Sequence, residues 1–391
     1  MELLGILVLS YLAIATVILF RNRFDLLPLE NLPANSIKSD ENRLSIEICI
    51  PARNEENTIR RAVQSVLQQD YPHLHLTVLD DESSDRTPQI LAEIQALNPQ
   101  KVTVIRGKPK PEGWLGKNWA CRQMSQQTNA DWLLFMDADV WLQKHTLSHL
   151  AQNIKRYGLH GATVWPKQHL YTFWEKVLIP LMYYALFSIL PANYVYRAPR
   201  WMPAFIRKQY APAFSAACGQ FLAFERKAYE SIGGHERVND QVVEDVELAR
   251  ALKMKGFRIR MFHGGMTVHC RMYEGEPEIR QGFRKNFLAG FGNSLLLFAA
   301  SAMLHLAVYV LPFMLLPLLQ FYPFSPFTGI WVPVSVLAVL AHRFWLSRWY
   351  GWDYWPALFH PLAVLWYQFL GLLALRDYFS AKPVEWKGRS L

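Results

Sequence analysis

Apolar and polar positions divide the chain into three stretches of different period. Residues 3–20 are an almost unbroken apolar run closed by Arg21 and Arg23. That length suits one membrane-crossing helix. Positive charge follows the run, so residues 1–22 read as an uncleaved anchor with residue 21 onward in the cytoplasm. Residues 25–43, with Pro28 and Pro33, read as a polar linker. Beyond them a short β-branched run at 46–50 and strand-like runs at 74–79, 101–106 and 132–136 alternate with helical periods at 58–68 and 87–97. This alternation predicts βαβ units, parallel pairing and an α/β domain over residues 45–290, with ligands beyond the carboxyl ends of the strands.

Residues 171–196 fit neither pattern. They are aromatic and apolar, but interrupted by Pro180 and Pro191 and charged at Glu175 and Lys176. The expectation is a segment lying in the membrane interface; the alternative is a buried helix. From residue 294 to 376 the chain is apolar again, with candidate spans at 294–320, around 330–341 and at 356–375. Three crossings would carry the basic tail (Arg376, Lys382, Lys387, Arg389) outside, against the positive-inside rule. A re-entrant segment, or a hairpin broken near Pro312 and Pro317, would remove that conflict.

Composition narrows the class. Half the residues are apolar (51%) and the formal net charge is +9. The basic residues flank apolar segments, as in Arg280, Arg284 and Lys285, rather than forming a nucleic-acid surface. The four cysteines, Cys49, Cys121, Cys218 and Cys270, make no CxxC pair and read as small buried apolar residues.

Three acidic clusters carry the candidate chemistry. Asp80-Asp81-Glu82-Ser83-Ser84-Asp85 follows the second strand and offers acceptors for a base imide and a ribose; as an isolated feature it is an ordinary turn with a cap. Asp137-Ala138-Asp139 follows the fourth strand. Carboxylates at i and i+2 of an extended segment point the same way and can hold Mg²⁺ or Mn²⁺ with a diphosphate. Glu244-Asp245 heads a helical period that stops at Gly256, where a carboxylate either caps the helix or serves as a general base. Lys117, in the glycine-bracketed Gly113-Trp114-Leu115-Gly116-Lys117, suits a phosphate. Cys218-Gly219-Gln220-Phe221 and Gly233-Gly234-His235 place small residues where a substrate or backbone comes close.

Taken in order on a βαβ scaffold, these motifs resemble family 2 glycosyltransferases. Ile50-Pro51-Ala52-Arg53-Asn54-Glu55-Glu56 is similar to the family's opening strand and loop, Asp80-Asp81 to its nucleotide motif, Asp137-Ala138-Asp139 to its metal-binding DxD and Glu244-Asp245 to its ED motif. The resemblance covers about residues 45–290. It implies a GT-A fold (a Rossmann-like nucleotide-diphospho-sugar transferase domain) beside the transmembrane helices, a nucleotide-sugar donor, a divalent cation and an inverting displacement. It assigns the donor to Pro51, Ala52, Asn54, Glu55, Asp81, Lys117, Asp137 and Asp139. The metal falls to Asp139 and Asp137, the base to Asp245, and acceptor contact or support to Glu244, Gly219, Gln220, Arg271, Gln281 and Arg284.

The processive synthases of this family carry QxxRW; here Gln281-Gly282-Phe283-Arg284-Lys285 has Lys in place of Trp, which argues against processive export. Gly113 to Ala120, Gly219-Gln220-Phe221, Gly233-Gly234-His235, Val243-Glu244-Asp245-Val246 and Arg271-Met272-Tyr273 together look like glycosyltransferases of carotenoid and hopanoid pathways. That likeness implies transfer of one hexosyl or deoxyhexosyl group to a hydroxyl of a carotenoid or related terpenoid dissolved in the membrane. A sphingoid or glycerolipid, a polyprenyl phosphate, or a non-catalytic membrane scaffold are the alternatives. The protein is expected to be a multi-pass membrane protein with its catalytic domain cytoplasmic.

Overall fold

The computed structural model describes residues 1–31, 44–292, 294–380, 385–386 and 389–390. Most of the expected linker (32–43), with Lys382 and Lys387 of the tail, lies outside the described residues. The chain forms two compact units. One contains the sheet and comprises Leu26–His169 and Ala192–Met272; the other is helical and comprises Met1–Asp25, Leu170–Pro191 and Tyr273–Ser390.

Among its described residues the sheet unit has eight strands: β1 (Ile46–Ala52), β2 (Leu74–Asp80), β3 (Val102–Arg106), β4 (Trp132–Met136), β5 (Val140–Leu142), β6 (Gly161–Gln168), β7 (Phe221–Glu225) and β8 (Ile259–Cys270). Their order is β3-β2-β1-β4-β7-β6-β8-β5. The four strands expected from periodicity are its parallel half. β7 runs antiparallel to β4 and β6, β6 is parallel to β8, and β5 is antiparallel to β8. β1 is buried on both faces, as a strand covered on both sides must be; its one charged residue, Glu47, accepts from Thr77 Oγ1 at 2.7 Å. Ile46, Ile48 and Ile50 pack with Ala62, Val63 and Val66 of the helix Ile59–Leu67, and Cys49 is buried as well. All four cysteines are buried free thiols.

The chain leaves β1 toward β2 and β3 on one side, and β4 returns on the other. This reversal of strand order makes the carboxyl ends of β1, β2 and β4 the place where a ligand fits. The start of the expected linker is not loose. Leu27 and Leu29 exchange backbone hydrogen bonds with His263 of β8, and Leu26 and Leu29 are fully buried.

Among the described residues of the helical unit, four helices are long and apolar enough to cross a membrane: Glu2–Asp25, Leu295–Gln320, Pro326–Tyr350 and Trp355–Phe379. Gly5, Val8, Leu12, Ala15, Leu19 and Asn22 form the buried stripe of the first. Gly5 admits the Trp331 indole so closely that a Cβ there would stand 2.6 Å from it. Leu296, Met303, Met314, Leu337 and Leu372 face outward, an apolar exterior that a bundle in water would not keep. Pro312 and Pro317 do not break Leu295–Gln320 into a hairpin. A π turn at Leu306–Val310 widens the helix just ahead of Pro312, where the proline ring would otherwise crowd the carbonyl four residues back.

The segment expected at the membrane interface, 171–196, contains a long helix. Phe173–Ile189 is a helix with Val177, Tyr183, Tyr184 and Phe187 buried. Its charge is spent locally: Glu175 accepts from the Tyr171 N–H and the Thr172 hydroxyl at 2.8 Å each, while Thr172 accepts from the Glu175 N–H, a capping box. At the other end Asn22 donates to the carbonyls of Phe187 (2.8 Å) and Leu190 (2.9 Å). Residues 273–290 also group with the helices. Arg284 is ion-paired with Asp377, and Trp366 Nε1 donates to Glu276 at 3.1 Å.

Candidate active site

Two loops at the strand ends interlock. N–H groups of Asn54, Glu55 and Glu56 donate to Ser83 Oγ (3.0 Å), Thr87 Oγ1 (2.8 Å) and Asp85 Oδ2 (3.0 Å). In return Ser84 and Arg86 N–H groups donate to Asn54 Oδ1 (2.8 Å) and Glu56 Oε2 (3.0 Å). Asn54 sits at φ 53°, a left-handed conformation that asparagine tolerates. The Asp81 N–H donates to the Ala52 carbonyl at 2.8 Å, and Arg53 donates to the Asp81 carbonyl at 2.5 Å. Pro51, Ala52, Asn54, Glu55 and Asp81 thus belong to one cross-braced structure.

The second part of the site is a cluster of charges. Lys117 opens the helix Gly116–Ser125, Asp137 follows β4, and Glu244 and Asp245 open the helix Glu244–Met254. Lys117 Nζ lies 2.8 Å from Asp137 Oδ1 and 3.2 Å from Glu244 Oε1. Burial would lower the lysine's pKa, but the Asp137 and Glu244 carboxylates outweigh it and hold the ammonium well above its usual value. Asp245 accepts from the Gly219 N–H (2.7 Å, Oδ2) and its neighbour Val246's N–H (2.8 Å, Oδ1). Burial first, then the Glu244 charge, push Asp245 up to about 7, against Lys117 and those two N–H groups. A carboxylate poised near neutrality suits proton abstraction. Gly219 lies close to the cluster: a Cβ there would lie 3.2 Å from Lys117 Nζ and 3.4 Å from both Asp245 Oδ2 and Glu244 Oε1.

Gln220 braces this cluster from behind. Its Oε1 accepts from Gln168 Nε2 at 2.9 Å, its Nε2 donates to Cys270 Sγ at 3.1 Å, and its carbonyl accepts from the Asp137 N–H at 3.3 Å. Cys270 also meets Asp139, whose charge adds to burial in raising the thiol well above its usual pKa. Arg271 follows Cys270, the partner of Val140 in the β5–β8 register, and so stands at the same corner of the sheet. Gln281 and Arg284 belong to the helical unit, where Asp377 engages Arg284.

Sequence reading missed Asn118. Its amide donates to the carbonyls of Val238 (2.7 Å), Asn239 (3.3 Å) and Gln241 (3.0 Å), and Leu115 N–H donates to Asn239 O at 2.8 Å. The Lys117 loop is thereby fixed to the chain leading into Glu244. A polar residue directly after the lysine, on a helix that is otherwise packed, was the available signal. His235 instead proves architectural. It is buried against Phe135, its Nδ1 lies 2.8 Å from Tyr229 Oη, and burial lowers it to about 3.

Among the described residues no group of three or more His, Cys, Asp or Glu side chains converges on one point. The residues present nevertheless fit a hard cation. Asp137 and Asp139 offer only carboxylate oxygens, and Asp137 already attracts positive charge, that of Lys117. Two such ligands leave positions for phosphate oxygens of a substrate.

Comparison with known proteins decides the family. The model of the family described as Glycosyl transferase family 2 matches residues 47–236, the stretch that holds the interlocked loops, Lys117, Asp137 and Gly219. Residues 47–236 form a family 2 glycosyltransferase domain. This glycosyltransferase is 27% identical over 279 residues to a 4,4'-diaponeurosporenoate glycosyltransferase of Staphylococcus haemolyticus, covering 71% of the chain and 68% of the relative. A protein of the same name from Staphylococcus aureus is 27% identical over 256 residues, 65% of the chain and 63% of the relative. Among solved structures, a mannosyltransferase from Pyrobaculum calidifontis in complex with GDP-Man and Mn2+ aligns with a TM-score of 0.54 at 16% identity, covering 92% of this chain and 98% of that one. That likeness shows the fold: GT-A, with apolar helices added.

Proposed function

We propose that this glycosyltransferase moves one sugar from a nucleotide-diphospho-sugar to an oxygen of a carotenoid-type lipid, with inversion at the anomeric carbon. The reading rests on one observation above all. Asp245, raised to about 7 and aimed by the Gly219 N–H, stands beside the Lys117–Asp137–Glu244 cluster at the edge where β1, β2 and β4 end. The interlocked loops with Asp81 hold the nucleoside. Lys117 faces the diphosphate. Asp139 and Asp137 would hold a divalent cation, which when bound offsets the charge of the leaving diphosphate. Asp245 takes the proton of the acceptor hydroxyl as its oxygen bonds to the anomeric carbon, and the bond from that carbon to the diphosphate oxygen breaks. The four apolar helices anchor the protein as a multi-pass membrane protein whose catalytic unit faces the cytoplasm.

The acceptor class comes from the two staphylococcal relatives, whose names give an acid, diaponeurosporenoate. A carboxylate acceptor is the second reading, and it differs chemically: a carboxylate has no proton for Asp245 to remove. The deciding experiment is mass spectrometry of lipid and pigment extracts from cells with and without the gene. Loss of a hexosyl or deoxyhexosyl carotenoid supports the proposal, with the linkage (ether or ester) choosing between acceptors. Loss of a different glycolipid instead moves the acceptor, and an unchanged set of glycoconjugates overturns the reading.

A further inference from the structure

The helical unit holds a polar knot that sugar transfer does not use. Half of it is closed on itself. Tyr184 O–H lies 3.1 Å from His342 Nδ1, His342 Nε2 lies 2.8 Å from Thr16 Oγ1, and the Thr16 hydroxyl donates to the Leu12 carbonyl at 2.7 Å. Thr16 has one hydrogen, and Leu12 receives it. His342 Nε2 therefore carries the imidazole's proton and Nδ1 accepts from Tyr184, so every proton in this chain has an acceptor.

The other half is open. Arg343 is 1% exposed and His360 is fully buried. Arg343 Nη1 donates to His360 Nδ1 at 3.0 Å. A guanidinium only donates and stays charged, so Nδ1 is bare and the His360 proton sits on Nε2. Both Arg343 Nε and His360 Nε2 are buried without a hydrogen-bond partner; both are donors. Among the described residues no carboxylate is ion-paired with either. In the same unit Glu175 caps its own helix, Asp353 pairs with Lys176, Asp377 with Arg284, and Glu276 accepts from Trp366. Arg343 stands seven residues before the end of Pro326–Tyr350, about 10 Å of helix rise. An arginine at that depth usually extends toward water; this one turns inward.

A buried cation with no counter-ion is among the costliest features a fold can hold. We propose that the Arg343–His360 pair is an oxyanion site that binds the carboxylate or phosphate of a lipid. One oxyanion gives both unsatisfied donors an acceptor and the guanidinium its counter-charge. The apolar exterior of the unit makes a lipid the carrier, because an anion on an acyl or isoprenoid chain can partition into such a bundle and a free ion cannot.

The inference rests on the membrane reading proposed above, and the test separates the two. Wild type and Arg343→Met are purified in neutral detergent and their retained lipids identified by mass spectrometry. Each is then melted in nanodiscs of phosphatidylcholine alone, with added phosphatidylglycerol, or with added oleate. Wild type should retain an anionic lipid that the variant keeps about tenfold less of. Its melting temperature should rise with phosphatidylglycerol if the site takes phosphate, or with oleate if it takes carboxylate. Arg343→Met should ignore both, yet melt no lower than wild type in phosphatidylcholine alone, since it has lost an unpaired charge. Equal lipid retention, or equal shifts in the two proteins, overturns the proposal. Should the variant not fold, wild type that melts alike in all three nanodiscs also overturns it. Protein found in the soluble fraction without detergent would remove the membrane reading itself, a result distinct from a membrane protein indifferent to anionic lipid.

Discussion

Asp245 has to be buried to be basic and ionised to act. Its surroundings divide those tasks: burial and Glu244 raise its pKa to about 7, while Lys117 and two N–H groups keep the charged form within reach. Asp245→Asn keeps the shape and removes the base, so transfer to a hydroxyl should fall by about 10²–10⁴ with nucleotide-sugar affinity nearly unchanged; calorimetry on the variant checks the second half. The pH dependence follows with a definite sign. Activity should rise with pH and level off above about 7, where Asp245 is ionised. Glu244→Gln removes a charge that raises Asp245, so the inflection should move to lower pH in a rate profile. Stability runs the other way. The folded value lies above the unfolded one of 3.8, so the native state binds the proton more tightly, and this residue's contribution is lost as pH rises from about 4 through about 7.

At the scale of elements, the site depends on joins between segments distant in sequence. Asn118 ties the start of one helix to the approach of another through three carbonyls. Asn118→Ala should lower stability by about 1–3 kcal/mol, read by thermal melting, and weaken donor binding more than it slows the bound complex. The elements that the pattern predicts are those with one clear face or a short apolar run: β1, β2, β3, β4 and the helices Ile59–Leu67 and Thr87–Leu97. The strand β8 was hidden because Gly264, Gly265, His263 and His269 interrupt its apolar pattern. Its company in the sheet, including the parallel pairing with β6, supplies the continuity that the sequence lacks. Lys117 shows the same divide within the site. Its loop marked it as a phosphate ligand, but its bridge from Asp137 to Glu244 joins motifs about a hundred residues apart, which spacing along the chain cannot reveal.

At the scale of the whole molecule, the apolar segments were legible by length and composition alone, and the four helices able to span a membrane fall where the runs fall. Which residues of Phe173–Ile189 are buried was not, because an aromatic, proline-broken composition marks no single face. The packing of the first helix can be tested: Gly5→Leu places a side chain where the Trp331 indole stands and should cost about 1–3 kcal/mol, seen as a lower melting temperature in detergent. Asn22 carries a consequence for biosynthesis. It is translated 165 residues before the Phe187 carbonyl that it serves, so the nascent first helix leaves the ribosome before that acceptor exists. The first helix is therefore completed only by a segment made much later, and a fusion that ends before Phe173–Ile189 lacks the acceptors at Phe187 and Leu190.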